Sequence, residues 1–297
     1  MATLYDIRLE FGYDYERPAT MGRHVLRLLP ANTPEQQLIS GLVTLDPLPD
    51  DRRDSHDFFG NSRSEIAYDR PINEVSFRMN ARVRRSGVAP TLDLSPSLSA
   101  LGGEIASVAS LGREAPHHYI GVSERVRPHP EMTAFARAAL EQAAPGAEVS
   151  VFEALKLIGR ALYLAMTFDP EATEVDTDAE EAFRIRRGVC QDFTHILIAC
   201  LRGLGVPAGY VSGFLRTIPP PGKERLEGAD AMHAWVQAWC GRQMGWVEYD
   251  PTNDLMVASD HIVVARGRDY SDVAPIRGQL RAAGKQKASQ KVDVIPL

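Results

Sequence analysis

Short runs in which apolar and polar residues alternate dominate the first part of the chain. Leu4-Tyr5-Asp6-Ile7-Arg8-Leu9, Val25-Leu26-Arg27-Leu28-Leu29 and Glu74-Val75-Ser76-Phe77-Arg78-Met79 are three of them. Period two is the spacing at which the side chains of an extended strand fall on opposite faces. Turn-forming residues separate the runs at Pro30-Ala31-Asn32, Asp46-Pro47, Gly60-Asn61 and Arg70-Pro71. The pattern predicts a half-buried antiparallel β domain over residues 1–85. Residues 86–127 are rich in Pro, Ser and Gly and show no clear period. An irregular connecting segment that wraps a surface or edges a cleft is expected there.

The period then changes. Pro130 to Ala143 and Val151 to Phe168 carry apolar residues at steps of three and four, the spacing of a helix with one buried face, and Pro145-Gly146 divides them. In Thr177-Asp178-Ala179-Glu180 a hydroxyl precedes a glutamate by three positions, which predicts a capping box and a short helix ending near Gly188. Ile196 to Leu204 reads as a helix stopped by Gly205 and Pro207. Strands are predicted at Val206–Leu215, Met232–Cys240, Gly245–Tyr249 and Ile262–Ala265. Polar Lys285 to Gln290 reads as a turn or loop before a last strand, Val292–Ile295. Residues 128–297 are thus expected to form a second unit, and the whole an α+β protein.

Composition narrows the function classes. The chain has 297 residues, 44% apolar and 24% charged, which suits a soluble globular protein large enough for two modest domains. The net charge is −6 with no basic run, so no nucleic-acid partner is expected. No run of about 18 apolar residues exists to span a membrane. Met1 to Phe11 lacks a basic stretch followed by an apolar core, so no secretory signal is expected. Three unevenly spaced cysteines, Cys190, Cys200 and Cys240, argue against a disulfide framework and for a reducing, cytoplasmic setting. An odd number leaves at least one free thiol.

Three segments carry candidate chemistry: Gly188-Val189-Cys190-Gln191-Asp192-Phe193, His233-Ala234-Trp235, and Trp246 through Asp250-Pro251-Thr252-Asn253. Cys190 follows a glycine turn and opens a helix, where backbone N–H groups and the helix dipole favour a thiolate. A free thiol ionises at roughly pH 8.5, so activation also needs an imidazolium nearby. His233 on one strand and Asp250 at the end of the next supply a base and its orienter. A short turn around Gly241 to Gly245 would join those strands as a hairpin and bring both residues to one end.

These motifs resemble the bacterial transglutaminase-like family, whose core is papain-like and carries Cys, His and Asp in that order. The matching stretches are Arg187 to Phe193, Leu204-Gly205-Val206-Pro207-Ala208, Tyr210-Val211-Ser212-Gly213, His233-Ala234-Trp235, Asp250 to Asn253 and Gly267 to Pro275. Tyr13-Asp14-Tyr15, Leu28-Leu29-Pro30 and Phe59-Gly60-Asn61 resemble the β-rich domain that commonly precedes this core. The resemblance implies cysteine-dependent acyl transfer on an amide or peptide bond through a thioester, with a peptide or protein as substrate. Gly209 and Phe214 stand where the family often has arginine and tyrosine. Cross-linking transglutaminases place an oxyanion-binding tryptophan before the cysteine. Here Trp235, Trp239 and Trp246 all follow it, which leaves the second oxyanion donor unassigned; the Cys190 N–H is the first candidate.

No cofactor or metal is expected. Cys190 and His195 are five apart and lie on different faces of a helix, so Cys190, His195, Cys200 and His233 do not read as a zinc site. The acidic stretch Asp169 to Glu181 lacks the ligand alternation and central glycine of a calcium loop. Cys200 and Cys240 read as core residues, Asp192 as a helix cap or a partner of nearby backbone, His195 as a packed or surface residue, His117-His118 as solvated, and Trp235 as either cleft wall or core. Hydrolysis is favoured over transamidation, and the rival class is a non-catalytic binding module. The sequence sets no oligomeric state.

Overall fold

In the computed structural model, which describes residues 2–87, 92–217 and 230–297, the alternating N-terminal runs form strands. They are β1 (Thr3–Leu26), β2 (Gln36–Asp46), β3 (Asp51–His56), β4 (Ser62–Tyr68) and β5 (Ile72–Arg85), hydrogen-bonded in the order β2-β5-β1-β4-β3. β1 serves two neighbourhoods: Thr3 to Asp14 pairs with β5, and Gly22 to Leu26 with β4. Along β1, Tyr5, Ile7 and Leu9 are buried, while Asp6 on the other face accepts a hydrogen bond from Arg82 at 2.7 Å. The period-two reading holds because one face packs and the other is hydrated.

The connecting segment is more ordered than its composition suggests. Its residues 88–91 lie outside the described residues, but α1 (Leu98–Ala106) forms within it. The Ser97 hydroxyl accepts from the Ala100 N–H and caps that helix, and Leu101 and Ile105, four apart, are its buried residues. The Gly102-Gly103 pair and flanking serines hide this short amphipathic pattern. His117 and His118, expected to be solvated, are half-buried and bond the carbonyls of Val108 (2.9 Å) and Leu111 (3.0 Å).

Next come α2 (Pro130–Ala143), α3 (Val151–Ala165), β6 (Thr167–Phe168), α4 (Ala179–Ile185), β7 (Arg187–Gly188) and α5 (Cys190–Gly203). The capping box predicted at Thr177 and Glu180 does not form. Asp178 is the cap residue of α4, and the Thr177 hydroxyl instead accepts from the Glu174 N–H at 2.9 Å. The helix predicted from Ile196 reaches back to Cys190 and is buried from Gln191 to Arg202. Arg202 anchors its far end, donating to the carbonyls of Ala208, Gly121 and Arg268 and to the Ser123 hydroxyl.

The second sheet follows: β8 (Ala208–Leu215), β9 (Ala231–Trp239), α6 (Gly241–Met244), β10 (Trp246–Asp250), β11 (Leu255–Met256) and β12 (His261–Gly267), in the order β11-β10-β9-β8-β12. The predicted hairpin is β9–β10, turned through α6 with Gly241 at φ +89° and Gly245 at φ +69°. Ala234, Val236 and Ala238 join the main core with α5, whereas Trp235 packs with Val211, Val257 and Val263 in a smaller cluster.

After α7 (Tyr270–Val273) come β13 (Ile276–Arg281) and β14 (Gln286–Pro296), and both pair with β1 of the N-terminal sheet, not with the second sheet. Lys285 to Gln290, predicted as a turn or loop, is strand from Gln286 onward, with Phe11 opposite Gln290 and Leu9 opposite Val292. Residues Gln286 to Lys291 are exposed, so backbone pairing holds them without a buried face to mark them in the sequence. Asp230, just before β9, accepts from the Val294 N–H at 2.7 Å and ties this last strand to the second sheet.

Gly159 shows how tightly α3 lies against β10: a Cβ there would stand 2.2 Å from the Tyr249 ring. Alanine favours helix over glycine by about 1 kcal/mol, while overpacking costs about 1–3 kcal/mol. Gly159→Ala is therefore expected to lose up to about 2 kcal/mol in urea unfolding. A more stable variant would show that helix propensity outweighs this contact.

Candidate active site

The turn from β7 into α5 sets the position of Cys190. Val189 is extended and is the cap residue, and the Asp192 carboxylate folds back to accept from the Val189 N–H at 2.8 Å. The same oxygen accepts from the Thr173 hydroxyl at 2.6 Å. Residue 188 has to be glycine for this to happen, because a Cβ there would lie 2.4 Å from that oxygen. Asp192 thus bonds nearby backbone, as its sequence position predicts. Cys190, half-buried, is the first residue of the helix.

His233 stands on β9 beside Cys190, and its Nε2 lies 2.7 Å from Asp250 Oδ2. A carboxylate only accepts, so Nε2 carries the proton, and the other ring nitrogen is left for the hydrogen bond with the sulfur. Burial works against charge on this ring. Hydrogen bonds to Asp250 and Cys190, and the charges of both, outweigh it and push His233 up to about 10. A free imidazole titrates near 6.5. The stabilisation from this charged histidine is therefore complete below about pH 6.5 and is lost as pH rises through about 10.

Asp250 is fully buried at 0% exposure, which makes the accounting of its hydrogen bonds decisive. Oδ1 accepts from the N–H groups of Thr252 (2.9 Å) and Asn253 (3.2 Å). Oδ2 accepts from His233, from the Asn253 amide (2.7 Å) and from His261 Nε2 (3.0 Å). Burial alone would raise its pKa, but the bonds from the two histidines hold it well below the usual carboxylate range. Sequence reasoning did not single out His261. It opens β12, two strands beyond β9 in the sheet order, and reaches Asp250 because the sheet curls. Its only sequence signal is a polar residue heading the apolar run Ile262 to Ala265.

Trp235 is core and not cleft wall: it is fully buried, and its indole donates to Glu248 at 3.1 Å. Its ring stands 5.1 Å from that of His261. Arg266 pairs with the same glutamate at 2.5 Å. His195 is buried and accepts from the Tyr270 N–H at 3.2 Å; burial lowers it to about 4, so the ring is neutral. Cys200 donates to the Met132 carbonyl at 3.4 Å. Burial pushes the Cys200 and Cys240 thiols up to about 12 each. Among the described residues one group has the spacing of a metal site, His233, Asp250 and His261, and its atoms are already hydrogen-bonded to one another.

A cavity of about 330 Å³ opens over Cys190 and His233. Larger depressions of about 650 and 470 Å³ lie elsewhere and include none of the three candidates. The arrangement sets a thiol and a charged histidine beside one cavity with a buried carboxylate behind the ring, a layout that can support nucleophilic acyl transfer.

Similarity to known proteins follows the same lines. Residues 5–84 match the bacterial transglutaminase-like N-terminal region, and residues 137–251 match the transglutaminase-like superfamily. An uncharacterized protein of Mycobacterium tuberculosis is 36% identical over 304 residues, 97% of this chain and 91% of its own. An uncharacterized protein of Mycobacterium leprae is 32% identical over 295 residues, 96% of each chain. The chain belongs to the transglutaminase-like superfamily. The crystal structure of a Cytophaga hutchinsonii protein described as a candidate cysteine protease superposes with a TM-score of 0.74 at 18% identity, covering all of this chain and 91% of the other. That likeness of fold covers the N-terminal sheet as well as the core.

The donor from His261 can be tested directly. His261→Phe keeps a ring against Trp235 but leaves a buried carboxylate one hydrogen bond short, a loss worth about 1–3 kcal/mol. The variant is expected to be less stable by that amount in denaturant unfolding at pH 7. Wild-type stability would mean that Asp250 does not depend on this bond.

Proposed function

We propose that the protein is a cysteine-dependent acyl-transfer enzyme that cleaves amide or peptide bonds through a thioester on Cys190. The observation that carries this reading is the His233 ring held between Cys190 and a fully buried Asp250. The Cys190 thiolate adds to the carbonyl carbon, and the oxyanion that forms faces the start of α5, where the Cys190 N–H is the first donor. Collapse breaks the bond to the leaving amine, which takes its proton from His233. His233, now neutral, removes a proton from water as it attacks the thioester. Breakdown of that second adduct releases the carboxylic acid and restores the ion pair. Asp250 keeps the ring in one tautomer and supports its charge throughout.

Water is the favoured acceptor. Cys190 is half-buried and open to the cavity. None of the three tryptophans borders that cavity: Trp235 is core and the Trp246 indole donates to the Glu114 carbonyl at 2.9 Å. Hydrolysis needs no shield, whereas transamidation requires an amine to reach the thioester before water does.

Cys190→Ala is expected to abolish turnover with the fold retained, and Cys200→Ala and Cys240→Ala to keep most of it. Wild-type rates in Cys190→Ala would end the assignment. The alkaline limb of the pH–rate profile should fall near pH 10 in the wild type, where His233 loses its proton. In Asp250→Asn the limb should move towards the free-imidazole value and kcat should drop, in a serine-based triad by about ten-thousand-fold. An unmoved limb would make Asp250 a turn former only. Acceptor choice is read by supplying a peptide donor with excess primary amine and counting products. Free acid should dominate at low millimolar amine, and mostly amide adduct would assign a transglutaminase.

A further inference from the structure

The N-terminal sheet does more than support the core, because it reaches the sulfur. On β1 the inward face that buries Tyr5, Ile7 and Leu9 continues to Phe11 and Tyr13, which are only half-buried. Both line the cavity over Cys190 and His233, together with Gln290 of β14, Ile276 of β13, Met232 of β9 and Tyr270. Phe11 lies directly opposite Gln290 in the β1–β14 ladder. The return of the C-terminal strands to β1 therefore completes this wall. Two large rings left half-open on strands beside a nucleophile are not explained by packing alone.

We propose that Phe11 and Tyr13 form a specificity wall for the acyl donor, which carries an uncharged, apolar side chain, aromatic or large aliphatic, beside its reacting carbonyl. The inference rests on the acyl-transfer reading and names the substrate class within it. Apart from Cys190 and His233, whose charges pair with each other, no described side chain lining the cavity carries a formal charge. A charged donor side chain would lose its water there with no unpaired opposite charge to replace it. The cavity volume of about 330 Å³ is at the lower end of the roughly 300–1,000 Å³ range of ligand sites, so the residue next to the scissile bond dominates selection. Ser212 and Gln290 supply polar groups for the donor's own amides.

The test uses the full-length protein and peptidyl amides that differ only in the residue bearing the reacting carbonyl: Leu, Phe, Glu or Lys. Wild-type kcat/KM should favour Leu and Phe over Glu and Lys by roughly ten- to a hundredfold. Phe11→Ala and Tyr13→Ala should shrink that ratio about tenfold, chiefly through KM, and Tyr13→Lys should tilt it towards Glu. Equal or better cleavage of charged donors by the wild type, or a ratio unmoved in all three variants, overturns the proposal. Iodoacetamide labelling of the same samples separates the two levels. A wild-type Cys190 that resists labelling at neutral pH removes the acyl-transfer reading and the wall with it. A labelled Cys190 with a flat donor profile removes the wall alone. Cys200 and Cys240, both buried, stay unlabelled while a variant is folded.

Discussion

A single buried carboxylate organises this molecule's chemistry. Asp250 has no exposed surface and yet stays ionised, because every direction around its two oxygens is filled by a donor. Those donors come from β9, from β12 and from the turn that ends β10, so the curl of the sheet and the charge of the site are one problem. An uncompensated buried carboxylate costs several kcal/mol. The sheet must close around it before His233 can be held charged next to the thiol.

The rest of the fold delivers the thiol to that charge. α5 is buried along its length, which fixes its first turn relative to β9. Asp192 and Gly188 close that turn, and Arg202 pins the opposite end of the helix to the start of β8 and to the carbonyls of Gly121 and Arg268. The N-terminal sheet sits beside this arrangement through β1, β13 and β14, and Asp230 bridges its last strand to the start of β9. The two regions matched by family are therefore interlocked at the cleft.

Which features could be read from the sequence follows from the range of the forces that specify them. Cys190, His233 and Asp250 were legible because each lies in a local motif whose backbone geometry is set by its neighbours: a glycine turn before a helix, a strand, and an Asp-Pro-Thr-Asn turn. The strands of the N-terminal sheet were legible through Tyr5, Ile7 and Leu9 because one face packs. His261 was not, since its contact with Asp250 is created by sheet curvature and leaves no local period. Gln286 to Lys291 were not, because a strand held by backbone pairing with exposed side chains resembles a loop in composition. α1 was hidden by Gly102-Gly103, and Thr177 bonded Glu174 where a capping box was expected, a competition between two local hydrogen bonds that spacing alone does not decide.

The central claim is that one sulfur carries the acyl group. The most direct measurement is intact-protein mass spectrometry after acid quench during reaction with an activated ester, with the modified peptide then located. One acyl group should appear on Cys190, be released by hydroxylamine, and be missing in Cys190→Ala. An unmodified protein during turnover, or an acyl group on another residue, would contradict the account.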